Sequence, residues 1–403
     1  MKNESNDYVI RVVNSPAQVN TTDWNELLYA QPGATPFMRH EYLTALHASG
    51  SATPDTGWSP YFILLERASS LIGACALYLK PHSYGEYVFD QAWARAYAEH
   101  GLAYYPKAVV AVPFTPVPGT RLLARTSADR ALLAQALVQW CDAEQLSSLH
   151  LLFVDPDDLQ ACMAAGMLLR DTVQFHWTNR TPAYADFEDF LSTLSQEKRK
   201  KIRQERHKVA QAGVTFRWAT GSAISSQDWD FFYRCYTQTY LEHGNAPYLT
   251  RDFFQRMADT LPEHWVLFVA EREGQPIATS LIAISAYKTG AGDLNDSPNR
   301  GNIAYGRYWG ALERVSCLHF EACYYQPLAW CIAHGYQRFE GGAQGEHKMA
   351  RALLPVKASS AHWMSHPAFA EAVERYLARE TQSMGHYLDE LKQRSPLKTP
   401  DSR

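Results

Sequence analysis

The loop Gly341-Gly342-Ala343-Gln344-Gly345-Glu346-His347-Lys348 gathers an amide, a carboxylate, an imidazole and an ammonium behind a run of glycines. Glycine lets a backbone turn tightly and lets a ligand approach the chain. The four polar side chains supply the donors and acceptors that proton transfer and anion binding require. A general base and a cation for an anionic group could both come from this loop.

The surrounding stretch, Gly301 to Trp363, holds the other candidates. Glu340, Glu346 and His347 are candidates for the base, with Tyr305 or Tyr324 as proton donor. Arg307, Gln344, Gly345, Lys348 and Arg351 could hold phosphates or a carboxylate. His319 and Glu321 could contact a substrate. Each has a plainer alternative: Arg351 could pair with Glu346 across one helical turn, and Tyr324 could simply pack. Neither His319-Phe320-Glu321 nor Glu346-His347 has metalloprotease spacing, and the deaminase pattern lacks its paired cysteines, so a metal enzyme is disfavoured.

These residues must be positioned by an aromatic strand, a helix and a second strand. Leu318, Ala322, Tyr325, Ala329 and Ile332 recur at four- and three-residue steps, which predicts a helix with its apolar stripe on a sheet. His334 and Gly335 end it. Tyr336 to Glu340 reads as a short strand entering the glycine loop, and a further helix is expected to start after it.

This stretch carries a resemblance. Residues from about 173 to 377, above all GRYWG, LHFEACYYQ and FEGGAQGEHKMAR, resemble the bacterial FemAB-like predicted N-acyltransferases, a family grouped with GNAT-fold enzymes. YLKPHSYGEYVFD and YYPKAVVAVPFTPVPGTRLL extend the similarity over nearly the whole chain. The resemblance implies an α/β protein of two tandem GNAT-like acyltransferase domains, each a mixed, mostly antiparallel sheet flanked by helices. It also implies a peptidoglycan-related role and transfer of an acyl group to an amine, with acyl-CoA or aminoacyl-tRNA as donor among relatives.

Length and element order agree. The 403 residues exceed the size at which a single core stops growing. The expected domains are 8–170 and 171–395, the second carrying the active site. Helices, a hairpin, a strand, a helix and a short strand follow one another in each half, with hairpins at Pro60–Glu66/Leu71–Leu79 and Trp265–Ala270/Ile277–Ile284. The basic run Gln196–Lys208 is read as the continuation of a helix that begins at Phe187.

Two segments outside the opening stretch invite a functional reading. His82, Glu86 and Asp90, beside Tyr84 and Tyr87, could line a substrate cleft or cap the sheet. Gly119 and Arg121, before the helix expected at residues 127–145, could cradle phosphate at a helix start. Between Gln196 and Lys208 lie seven Lys or Arg against two Glu, and Arg199, Arg203 and Arg206 share one helical face. That face is either solvated surface or an anion platform for CoA phosphates or RNA, and the resemblance adds that Fem-type enzymes have a comparable basic segment here.

Net charge is −4, so a global nucleic-acid binder is disfavoured and tRNA remains only as an alternative donor. Seven cysteines without a CxxC pair read as reduced thiols, and no apolar run reaches membrane-spanning length, which points to the cytoplasm. The expected activity is therefore N-acyl transfer from acyl-CoA to a small or peptide-like amine, without a metal; the alternatives are a Fem-type aminoacyltransferase and a non-catalytic binding module. The oligomeric state is open.

Overall fold

Two apolar, leucine-rich runs separated by Arg67-Ala68-Ser69-Ser70 form the first hairpin, and the turn explains the link. Ala68 and Ser69 both take positive φ, 48° and 62°, the combination that matches the twist of a two-residue hairpin. The computed structural model describes residues 8–285, 302–343 and 345–398. Its strands are β1 (Val9–Val13), β2 (Ser59–Arg67), β3 (Ser70–Lys80), β4 (Lys107–Val110), β5 (Leu123–Ala124), β6 (Ser148–Val154), β7 (Leu168–Thr178), β8 (Val214–Thr220), β9 (Trp265–Arg272), β10 (Gln275–Ile284), β11 (Ile303–Ala311), β12 (Arg338–Ala343) and β13 (Leu354–Met364).

The chain forms two compact units, residues 1–172 with 357–386 and residues 173–356 with 387–403. In the first the strand order is β1-β2-β3-β4-β6-β13, with β5 also on β3. All its pairs are antiparallel except β4 with β6. In the second the order is β8-β9-β10-β11-β12-β7, antiparallel except β11 with β12. The two units thus repeat one pattern, an antiparallel meander followed by one parallel pair and a closing antiparallel strand.

The closing strands explain why the units differ from the boundaries expected from sequence. β13 ends beside β6, which carries Lys357–His386 into the first unit and not the second. β7 begins in the first unit and ends in the second, so the division runs through a strand and not a linker. The basic helix is also separate from its neighbour. Phe187–Ser192 stops, and Ser195 caps a new helix, Gln196–Gln211, by accepting from Lys198 N. After the glycine loop the chain makes one 3-10 turn, Glu346–Arg351, and then enters β13, where a helix was expected.

The first unit buries an unusual polar line. His150 Nδ1 and His362 Nδ1 lie 2.7 Å apart, so one ring donates to the other and both are neutral. His150 Nε2 is 3.1 Å from Tyr104 Oη, and Tyr104 donates to Asp90 at 2.7 Å. Burial, above all, holds His362 down to about 3 and His150 well below the ordinary imidazole range. Their folded pKa values lie below the unfolded one, so the unfolded chain binds more protons between about pH 6.5 and 3. Stability contributed by this pair is present at neutral pH and is lost as pH falls through that window. Urea midpoints should drop between pH 7 and pH 5, and His362→Asn should flatten the drop; an unchanged slope in the variant would contradict this.

Candidate active site

Within the second unit the parallel pair opens. β11 and β12 stay in register through Ile303–Arg338, Ala304–Phe339 and Tyr305–Glu340. Beyond Tyr305, β11 continues along β10 while its pairing with β12 stops. A Cβ on Gly306 would lie 3.1 Å from the Phe339 ring, so a small residue suits this point of divergence.

β11 also bulges here. Leu281 faces Tyr308 and Ile282 faces Gly306, which leaves Arg307 as the extra residue. A bulge re-aims side chains, and Gly306, Arg307, Tyr308 and Trp309 all line one cavity of about 160 Å³. Its other walls are Ser280, Leu281 and Ile282 of β10, Phe339 and Gly341 of β12, and His319, Cys323, Tyr324 and Lys348. Trp309 and His319 meet edge to face at 5.4 Å, as do His319 and Tyr324 at 5.7 Å.

The helix that brings His319 and Tyr324 is interrupted. Leu318–Phe320 is followed by a π-helical stretch, Glu321–Tyr325, and then the helix Gln326–Ala333. Such stretches cost backbone geometry and recur where side chains must be placed for function. The apolar stripe read from the sequence is present, with Leu318, Ala322, Tyr325 and Ile332 buried.

Among the described residues the cavity lining holds Arg307, Lys348 and His319 and no carboxylate. Lys348 Nζ donates to Gly341 O at 2.6 Å, and burial lowers its pKa to about 8. Burial, followed by the charges of the neighbouring His347, Arg351 and Lys348, brings His319 down to about 4, so it is a neutral imidazole at pH 7. Tyr324 Oη is 3.2 Å from His347 Nε2. Burial raises the Tyr324 phenol and lowers His347, which keeps both neutral. This set offers a proton acceptor, a proton donor and a cation around one small space.

Several sequence candidates lie elsewhere. On β12, Phe339 and Gly341 face the cavity, so Glu340 points to the opposite side. There it pairs with Arg338 at 2.8 Å and lies 4.0 Å from His176 Nε2. Burial pushes Glu340 up to about 7 against the opposing pull of Arg338. Tyr305 is its register partner, is buried, and is absent from the cavity lining.

Glu346 is exposed. It accepts from Tyr387 Oη at 2.9 Å and lies 3.5 Å from Arg394. Gly345 takes φ of +99°, and a Cβ there would lie 2.5 Å from the His347 ring, so glycine is required for the turn that sets that ring. Gln344 lies outside the described residues.

Arg351 does not pair with Glu346. It is buried against Glu205 at 2.9 Å, donates to His347 O at 2.7 Å and stacks over Phe320 at 3.5 Å, so it positions the turn without lining the cavity.

Glu321 is buried beside Arg206 at 3.2 Å and Gln326 at 2.7 Å, and burial raises its pKa. It lines a separate open groove of about 420 Å³ with Arg203 and Arg206. Arg203 pairs with Glu188 at 2.5 Å, and Arg199 reaches Ser192 O at 3.5 Å. The arginine face expected as an anion platform is thus largely engaged by the protein itself.

In the first unit both readings need correction. Glu86 and Asp90 are buried on Lys107, the former at 2.7 Å, and close the sheet without lining a cleft. His82 accepts from Tyr84 N at 3.3 Å and packs on Gly57. Gly119 N donates to Phe153 O at 3.0 Å, and Arg121 N donates to Asp158. The next helix starts only at Ser127, capped by Thr126, so no free helix terminus exists at Gly119. Arg121 is fully buried and donates to Leu152 O at 3.0 Å and to Gly119 O at 3.3 Å.

Sequence similarity now bears on the geometry. Residues 15–399 match the FemAB-like family, described as peptidoglycan biosynthesis/recognition. The chain belongs to this family. No curated protein gives a significant sequence match. FemX is 10% identical, with a TM-score of 0.51 over 90% of this chain and 100% of its own. The L-PGS of Bacillus licheniformis is 11% identical, with a TM-score of 0.52 over 90% of this chain and 98% of its own. The C-terminal domain of a putative lysylphosphatidylglycerol synthetase from Agrobacterium fabrum is 10% identical, with a TM-score of 0.51 over 91% and 97%. At identities this low the likeness is one of fold alone. The architecture is mixed α/β, with a mixed, mostly antiparallel sheet in each unit, as the sequence led us to expect. Among the described residues no helix is long and apolar enough to cross a membrane, and no cluster of metal-ligating side chains occurs.

Proposed function

We propose that this FemAB-like protein is an N-acyltransferase working by direct transfer in the cavity of its second unit. The observation that carries the reading is the opening of β11 from β12, lined by His319, Lys348 and Tyr324, whose hydroxyl meets His347 outside the lining. In the reaction the amine nitrogen attacks the donor carbonyl, an N–C bond forms, and the bond from carbonyl to the leaving sulfur or oxygen breaks. Neutral His319 takes the proton from the amine. Lys348 faces the oxyanion that develops. Tyr324 gives its proton to the leaving atom and is resupplied through His347.

The donor is proposed to be an acyl-CoA. A cavity of about 160 Å³ suits a small acyl group, and Arg203 and Arg206 are already paired with Glu188 and Glu321, which leaves a narrower basic face than RNA binding normally uses. A cytoplasmic location accompanies this proposal. The Fem-type reading, with aminoacyl-tRNA as donor, uses the same chemistry and draws support from the family match.

Turnover assays with acetyl-CoA, longer acyl-CoAs and aminoacyl-tRNA, each at two salt concentrations, decide between them. Acylation from CoA with weak salt dependence is expected; transfer only from tRNA, steeply salt-dependent, would overturn the donor assignment. Tyr324→Phe should lower kcat by about 10²-fold or more, with the melting temperature nearly unchanged. Equal activity in that variant would remove Tyr324 from the mechanism.

A further inference from the structure

We infer that Phe339 sets the length of the acyl group this protein transfers, and that the group is a short hydrocarbon chain of about two to four carbons. The inference rests on the acyl-CoA reading above and adds the class of acyl group and the residue that selects it.

Three observations carry it. The first is where the ring lies. Phe339 is the register partner of Ala304, one step before the parallel pairing ends, yet the tip of its ring reaches Gly306, where a Cβ would stand 3.1 Å from Phe339 Cζ. The ring therefore leans into the gap that the parting strands leave. Ile282 of β10 is the register partner of Gly306, so three strands bring a residue to this point and only the glycine adds no bulk.

The second observation is what the ring separates. Phe339 and Ile282 line the cavity, and both also belong to the apolar core of the second unit, with Phe175 and Leu353 among its other members. Phe339 is 1% exposed. The same side chain thus bounds the ligand space and closes the core behind it. The third is size. About 160 Å³, at roughly 30 Å³ per water, is the room of about five waters, and the thioester carbonyl takes part of it beside Lys348. A packed core yields little to added methylenes, so a longer chain meets the ring and not a continuing tunnel. Each methylene at such a wall changes discrimination by about 10- to 200-fold.

Calorimetric titration of the full chain with CoA, acetyl-CoA, butanoyl-CoA and octanoyl-CoA tests this stop, and the quantity read is the ratio of two affinities within one protein. The native chain is expected to hold octanoyl-CoA at least ~10-fold more weakly than acetyl-CoA. Phe339→Leu, which shortens the side chain and keeps it apolar, should raise the octanoyl-to-acetyl ratio by ~10-fold or more. Gly306→Ala acts in the opposite direction, because its methyl presses on the ring and narrows the space: butanoyl-CoA should weaken relative to acetyl-CoA. A general loss of stability lowers all the affinities together and leaves these ratios in place. Should Phe339→Leu fail to fold, Gly306→Ala decides alone.

Equal affinity of the native chain for octanoyl-CoA and acetyl-CoA, or ratios unmoved in the folded variants, would overturn the inference and leave the acyl-CoA reading standing. Binding of neither CoA nor any of its esters to the native chain would remove the donor reading, and the length limit with it.

Discussion

Replacing Arg351 by methionine should lower stability by about 3–5 kcal/mol, the cost of leaving a buried carboxylate without its partner. Arg351 and Glu205 are both buried, 2.9 Å apart, and Tyr325 donates its hydroxyl to the same carboxylate. The guanidinium also lies 3.5 Å over the Phe320 ring, so the variant loses a cation–π contact as well. Through the bond to His347 O it fixes the turn whose imidazole meets Tyr324. Activity should therefore fall together with stability. Chemical denaturation checks the first claim, and the double variant Arg351→Met/Glu205→Gln should regain part of the loss, because no unpaired charge is left behind. A double variant as unstable as the single one would mean that packing, and not charge pairing, dominates.

Lys107→Met should act on a comparable scale, about 3–5 kcal/mol, with a pH signature of its own. Lys107 is fully buried between Glu86 and Asp90, and its cross-strand neighbour is Lys80, also fully buried. Two like charges opposite each other repel; burial lowers Lys80 to about 7, which relieves the repulsion. Burial raises Glu86 to about 7 even with Lys107 present. Without the lysine the burial that raises Glu86 loses its largest opposing charge, so the folded pKa of Glu86 lies further above its unfolded one. Its contribution is then present below the unfolded value and lost as pH rises through the folded one. The variant should be more stable at pH 5 than at pH 8, opposite to the trend set by the histidine pair in the native protein. Urea titrations at both pH values measure the sign.

The elements legible in the sequence were those whose burial follows a simple period. Both hairpins alternate or run apolar, and the helices Ser127–Ala143 and Ser226–Glu242 carry stripes and caps that sit close to their observed ends. β13 was missed for a definite reason: Ser359, Ser360 and His362 are buried there, satisfied by Asp171, Arg170 O and the His150 line, so the strand reads as polar loop. β8 was missed because Thr215, Arg217 and Trp218 are exposed while only Val214 is buried.

At the site, the loop of ionisable residues was found, yet the cavity takes only Lys348 from its cluster of charges. Tyr308, Trp309, Cys323 and Phe339 escaped notice, since a bulge and a π-helical interruption decide where they point and neither leaves a one-residue signature. The GRYWG run was the available clue: a glycine, an arginine and two large aromatics within a strand suggest a bulge beside a ligand.

The exchange of closing strands also bears on how the polypeptide acquires its structure during synthesis. β6 is buried along its whole length, and one of its two partners, β13, is made some 200 residues later, as the separation of Ser148 and Met364 shows. Long-range pairings of this kind are formed late and slowly. The first 172 residues therefore leave the ribosome with an apolar strand edge that nothing yet covers, a surface prone to joining another chain. A fragment ending at Thr172 should be poorly soluble, and a separate peptide spanning Leu354–His386 should rescue it by supplying the missing strand and helix.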